Sequence, residues 1–125
     1  MTLEDRLVLI VEDEPIVALG LEDIIEGAGG RSFSAQRLEQ AFALLTEHPF
    51  ELAILDINVH GQHSYPVAAA LDDLGVPYIF ATGYGDTLHP QEFRNVPTVT
   101  KPYSPADIHS AILLLGGSRQ GFQAG

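Results

Sequence analysis

The 125-residue chain has no cysteine, which excludes disulfides, thiolate metal ligation and thiol redox chemistry. It is poor in positive charge, with 6 Lys and Arg against 17 Asp and Glu. The net charge of −11 repels the phosphates of DNA, RNA and acidic membranes, so no nucleic-acid or membrane partner is expected. No apolar run approaches the roughly 20 residues that span a bilayer. The first residues, Met1 to Arg6, are acidic rather than basic ahead of the first apolar run, unlike a secretory leader. A cytoplasmic protein is the simplest expectation.

What is present is a chain with 46% hydrophobic residues, enough for a core of its own. Its length fits one domain. Apolar β-rich runs alternate with stretches of helical period, the pattern of a parallel α/β sheet. Strands are predicted at Leu7–Val11, Arg31–Ala35, Leu52–Leu55, Tyr78–Ala81 and Val96–Thr100. The second is polar enough to lie at a sheet edge. A helix is predicted from Pro15, with Val17, Leu21, Ile24 and Ala28 at helical spacing until Gly27-Ala28-Gly29-Gly30 stops it, and another from Leu38 to Glu47, with Leu38, Ala41, Phe42 and Leu45 on one face. A third runs from Ser64 to Leu74, with Val67, Ala70, Leu71 and Leu74 inward, and a short fourth lies within Asp86 to Asn95. Ser104-Pro105 starts the last, which carries Ile108, Ile112 and Leu115 and is expected to stop at Gly116-Gly117. The domain then covers residues 1–117, with 118–125 as a flexible tail.

The single lysine, Lys101, follows the last predicted strand. Glu12-Asp13 follows the first, Asp56 the third and Thr82 the fourth. In an open parallel sheet those carboxyl ends form one crevice. Three carboxylates gathered there would raise one another's proton affinity unless a cation neutralised them. An all-oxygen ligand set without cysteine favours Mg²⁺. Lys101 and the Thr82 hydroxyl can then hold phosphoryl oxygens, and Gly83 leaves the approach open. The set suits phosphoryl transfer onto a carboxylate, which needs in-line positioning and charge compensation more than a strong base. Any one of these residues alone reads as a turn former, a cap or a surface charge; it is the shared position that carries the argument. His60 and His63 have metal-ligand spacing but no third partner nearby, and read as exposed loop residues. Tyr103 reads as packing beneath the last helix.

The motifs Val11-Glu12-Asp13-Glu14-Pro15, Leu55-Asp56-Ile57-Asn58, Ala81-Thr82-Gly83 and Thr100-Lys101-Pro102, in that order, resemble those of a response-regulator receiver domain. The resemblance implies a flavodoxin-like (CheY-like) fold: a five-stranded parallel sheet of order 2-1-3-4-5 with helices on both faces. It implies that Asp56 accepts a phosphoryl group from a histidine kinase or a histidine phosphotransfer protein, with only autocatalytic transfer and loss of phosphate. Asp13, Asp56 and the backbone carbonyl of Asn58 would ligate Mg²⁺, Glu12 would act through water, and Thr82 and Lys101 would hold the phosphoryl group. Phe80-Ala81-Thr82-Gly83-Tyr84-Gly85 is similar to the motif that names the FAT GUY receivers. Those are often single-domain regulators in stress phosphorelays, served by kinases of the HWE and related types.

The chain departs from that pattern in two places. Where receivers carry an aromatic switch, three residues before the lysine, it has Thr98; Tyr84 is the alternative gate. After Asp56 it reads Val59-His60-Gly61 rather than a Met-Pro pair. No DNA-binding segment follows Gly117, so output through a protein target, or service as a phosphate relay, is expected. A start at Met1 and a short tail fit a free-standing regulator. The alternatives are a receiver from a hybrid histidine kinase and a phosphate-independent binding module. A phosphatase of the haloacid-dehalogenase type would need an acid where Asn58 stands.

Overall fold

The computed structural model describes residues 2–83, 93, 95–101 and 103–123. Its main sheet contains β1 (Leu7–Val11), β2 (Arg31–Ala35), β3 (Leu52–Asp56), β6 (Tyr78–Thr82) and β7 (Thr98–Thr100), all parallel, in the order β2-β1-β3-β6-β7. This is the flavodoxin-like order that the receiver resemblance implies. Two further strands, β4 (Asn58–Val59) and β5 (Gln62–His63), form a small antiparallel hairpin outside it. The helices are α1 (Pro15–Gly27), α2 (Leu38–Glu47), α3 (Tyr65–Leu74) and α4 (Pro105–Gln123).

Strand periodicity divides the core in two. Leu7, Leu9, Val11, Ala53, Leu55, Tyr78 and Phe80 face one side, where Ala41 of α2 and Val67, Ala68 and Leu71 of α3 cover them. The alternate residues Val8, Ile10, Leu52, Ile54, Ile79, Ala81 and Val99 face the other, under Ala18, Leu21 and Ile25 of α1 and Ile108, Ala111, Ile112 and Leu115 of α4. The three central strands are therefore buried on both faces, which accounts for their near-continuous apolar sequences. Strand β2 is an edge strand with alternating exposure.

Several boundaries differ from the sequence expectation. Strands β3 and β6 each run one residue further, so Asp56 and Thr82 are the last paired residues rather than the first loop residues. Strand β7 begins at Thr98 rather than Val96, because Pro97 has no N–H to donate and Val96 N–H turns back to the Phe93 carbonyl. Helix α3 begins at Tyr65, with Ser64 as its flanking residue. Helix α1 is rotated slightly, so Ala18, Leu21 and Ile25 are buried while Val17, Ile24 and Ala28 lie at the margin. Phe42 is 39% exposed and outside the core, because Leu38, Leu44 and Leu45 flank Ala41 against the sheet instead. Leu74 is 58% exposed; α3 ends there in a left-handed turn at Gly75 (φ 72°), and Val76 packs onto the core in its place.

The predicted capping of the last helix is present. Ser104 Oγ accepts from Asp107 N–H at 3.2 Å, and Ser104 N–H donates to Asp107 Oδ2 at 2.9 Å. The predicted stop at Gly116-Gly117 is not, since α4 continues to Gln123. A helical glycine costs only about 1 kcal/mol relative to alanine and does not by itself end a helix. The short helix expected within Asp86 to Asn95 lies mostly outside the described residues; Phe93 is buried against Phe80 and stacked on Tyr65 at 5.1 Å.

Two glycines have opposite surroundings. A Cβ at Gly30 would meet Ile25 Cγ2 and the Leu3 carbonyl, both at 2.8 Å, whereas one at Gly20 within α1 would meet nothing. Gly30→Ala is expected to destabilise the fold by about 1–3 kcal/mol. Gly20→Ala should stabilise it by roughly 0.5–1 kcal/mol. Urea unfolding of both variants checks the signs.

Candidate functional site

Strand register brings the chemistry together. Val11 pairs with Leu55, Asp56 with Ala81 and Thr82 with Thr100, so the residues at and just after these positions meet at one sheet edge. Backbone bonds hold the ends in place: Glu12 N–H to the Ala35 carbonyl at 2.9 Å, Ile57 N–H to Ala81 at 3.1 Å and Lys101 N–H to Thr82 at 2.7 Å. Glu12 is 1% exposed, Asp56 6% and Thr82 1%, and Asp13 is half-buried.

The Lys101 ammonium lies 2.8 Å from Glu12 Oε1, 3.1 Å from Asp56 Oδ2 and 3.7 Å from Glu14 Oε1. Burial alone would lower its proton affinity, but the Glu12 and Asp56 carboxylates outweigh that and hold it protonated well above the ordinary lysine range. Burial pushes the Glu12 carboxyl up to about 7, while Lys101 and the Glu14 N–H pull it down. Asp13 is also subject to burial, yet the His60 N–H and the Glu12 side chain hold it below the usual range. Asp56 Oδ1 accepts from Asn58 N–H at 3.3 Å, and Glu12 Oε2 accepts from Glu14 N–H at 3.1 Å.

Oxygens of Glu12, Asp13 and Asp56 all lie within 4.8 Å of one another. When ionised, these three carboxylates face one ammonium, leaving two negative charges uncompensated. Hard oxygen donors with that excess suit a divalent cation such as Mg²⁺. The Thr82 hydroxyl is buried and has no hydrogen-bond partner among the described residues. Such a group in a native interior calls for an account; here it stands at the end of the strand next to Asp56. The acids, Thr82 and Lys101 thus meet as their sequence positions implied. Thr98 is exposed, pairs with the buried Phe80 and donates its hydroxyl to the Val96 carbonyl at 3.2 Å. Tyr84 lies outside the described residues.

Three features were not anticipated. Glu14 reaches Lys101, although its acidic side chain gave no sign of it beyond following Asp13. His60 donates its backbone N–H to Asp13 Oδ2 at 3.0 Å; its side chain is exposed, as expected. A cavity of about 510 Å³ opens between α1 and the segment after β7, lined by Val17, Gly20, Ile24, Gly83, Lys101 and Tyr103. Tyr103 packs on the α1–α4 core as expected, but its hydroxyl is buried without a partner among the described residues. Burial, with the Glu12 charge, raises its proton affinity far above the ordinary tyrosine range.

The response regulator receiver domain family matches residues 8–113. The aerobic respiration control protein ArcA of Escherichia coli K12 is 30% identical over 105 residues, covering 81% of this chain and 44% of ArcA. The chain thus spans less than half the length of that relative. The solution structure of SdrG from Sphingomonas melonis Fr1 is 31% identical, covers 92% of this chain and 98% of SdrG, and superposes with a TM-score of 0.79. The BeF3-activated conformation of SdrG is 34% identical, covers 87% of this chain and 94% of SdrG, and has a TM-score of 0.75. Receivers accept a phosphoryl group in two-component systems, bind Mg²⁺ at an acidic pocket and interact with histidine kinases or phosphotransfer proteins. With the fold, the acidic cluster and a family match over most of its length, the chain belongs to the response regulator receiver domains.

Proposed function

We propose that Asp56 is the phosphoacceptor of a regulator that signals through protein contacts. The observation that carries this reading is the Lys101 ammonium held against both Asp56 and Glu12, beside a buried Thr82 hydroxyl that lacks a partner among the described residues. In the proposed reaction an Asp56 carboxylate oxygen attacks phosphorus in line. The P–N bond to the donor imidazole breaks, the imidazole leaves with its electron pair, and an acyl phosphate forms. Lys101 moves its ion pair from the free carboxylate to a phosphoryl oxygen, and Thr82 donates to another. Asp13, Asp56 and the Asn58 backbone carbonyl would hold Mg²⁺, with Glu12 acting through water. Bound there, the cation supplies charge compensation for the phosphoryl oxygens.

The new bonds to Thr82 and Lys101 would shift a pre-existing conformational equilibrium. The Phe80 to Gly85 motif supports membership in the FAT GUY receivers, a kinase of the HWE or a related type, and a cytoplasmic, single-domain regulator with a protein target. The 98% coverage of SdrG supports the single-domain reading. The partial coverage of ArcA keeps open a receiver within a larger protein, such as a hybrid kinase.

Mg²⁺-dependent labelling by small phosphodonors tests the site. Asp56→Asn should reduce it to background; label retained at another residue would remove Asp56 from its role.

The Glu12 carboxyl, raised to about 7, carries a proton over part of the neutral range, and a bound cation favours its ionised form. Mg²⁺ should therefore bind more tightly as pH rises, by about tenfold between pH 6 and pH 8 if one proton is displaced. Calorimetric titration at the two values checks this, and Glu12→Gln should flatten the dependence.

Exposed Thr98 is poorly placed for a rotating buried switch, which leaves Tyr84 as the proposed gate. With beryllofluoride as phosphoryl mimic, Thr98→Ala should keep the full amide-spectrum response and Tyr84→Ala should lose most of it. The opposite pattern would return the switch to position 98.

A further inference from the structure

The segment after Asp56 forms a hairpin that the sequence pattern did not announce. Asn58 pairs with His63 and Val59 with Gln62, around His60 and Gly61. Both turn residues have positive φ, 51° and 78°, as a two-residue mirror-image turn requires. Glycine adopts that conformation freely; histidine does so only when its surroundings hold it there. Two anchors are visible. Val59 is buried in the core, and Ser64 N–H bonds to the Ile57 carbonyl at 2.9 Å, closing the base of the hairpin. The strained turn then directs His60 N–H at Asp13 Oδ2, 3.0 Å away, across 47 positions of sequence.

We propose that the His60-Gly61 turn is a positioning element for the cation site, with the backbone N–H of His60 setting the orientation of the Asp13 carboxylate. The inference rests on the reading of Glu12, Asp13 and Asp56 as that site. A carboxylate on a half-buried aspartate can rotate about its side-chain bonds. A donor fixed on Oδ2 restricts the rotation, and the two oxygens together keep lone pairs for further partners. The hairpin takes the place of a side-chain clamp, and the donor is a main-chain group whose aim depends on two left-handed residues. The His60 imidazole is exposed and is not part of the device.

The test separates backbone from side chain. Mg²⁺ is titrated into the full chain near pH 8, and binding is followed by amide spectra and calorimetry. His60→Gly keeps the N–H and relaxes the turn; Gly61→Asn places a residue that tolerates the left-handed region. Both should bind within about twofold of the parent. Gly61→Val, whose branched side chain opposes that region, should bind about 3–10-fold more weakly. In the metal-free protein, hydrogen exchange at the residue-60 amide should be slow in the parent and in His60→Gly, and fast in Asp13→Ala. That readout requires neither Mg²⁺ nor Gly61→Val. Parent-like Mg²⁺ affinity in a folded Gly61→Val, or equal exchange at residue 60 with and without Asp13, would overturn the proposal. So would a loss in His60→Gly as large as in Gly61→Val, because the imidazole would then be the acting group. If the parent binds no Mg²⁺, the reading of the cation site fails, while the exchange comparison still decides whether the clamp exists.

Discussion

The Lys101 ammonium joins two buried carboxylates, Glu12 at 2.8 Å and Asp56 at 3.1 Å, and the arrangement of the site depends on it. Neither acid is accessible enough for water to neutralise its charge fully, and a buried carboxylate without a partner would shift toward its protonated form. Glu12 does so in part, and Lys101 limits the shift. The backbone that carries it is anchored as well, since Lys101 N–H is tied to the Thr82 carbonyl at 2.7 Å. The residue that carries the cation is therefore fixed to the end of the sheet.

The sheet makes that possible through two plain rules. Parallel strands end on the same side, and alternate residues face opposite ways. The first puts Glu12-Asp13, Asp56, Thr82 and Lys101 at one edge. The second gives each face its own apolar layer, so α2 and α3 cover one side and α1 and α4 the other. Four of the five strands contribute to the crevice; the edge strand β2 contributes only the Ala35 carbonyl that holds Glu12 in line.

Much of this was legible before any coordinates. The central strands are continuous apolar runs because both faces are buried, and each run ends in a chemically distinctive residue. The lone lysine was readable because it is the single lysine of an acidic chain and follows the last predicted strand. Other features were hidden for definite reasons. A hairpin of two residues per strand is too short to show a period, and the bond from His60 to Asp13 is made by a main-chain donor that every non-proline residue carries. Phe42 and Leu74 looked inward on a helical wheel, but the wheel does not know where a helix meets the sheet or where the chain turns away. The glycine pair at 116–117 looked like a stop, yet helix α4 continues through it.

What the sequence determined by itself was the class of fold, the order of its elements and the residue types at each strand end. Those follow from local patterns of apolar and polar residues, which need only neighbours along the chain. The tertiary structure alone decided that Lys101 bridges Glu12 and Asp56, that Thr82 is buried at the neighbouring strand end, and that a backbone amide 47 positions away donates to Asp13. Those are relations of distance and direction between remote segments, and strand register and helix rotation create them only when both sides of the sheet are packed.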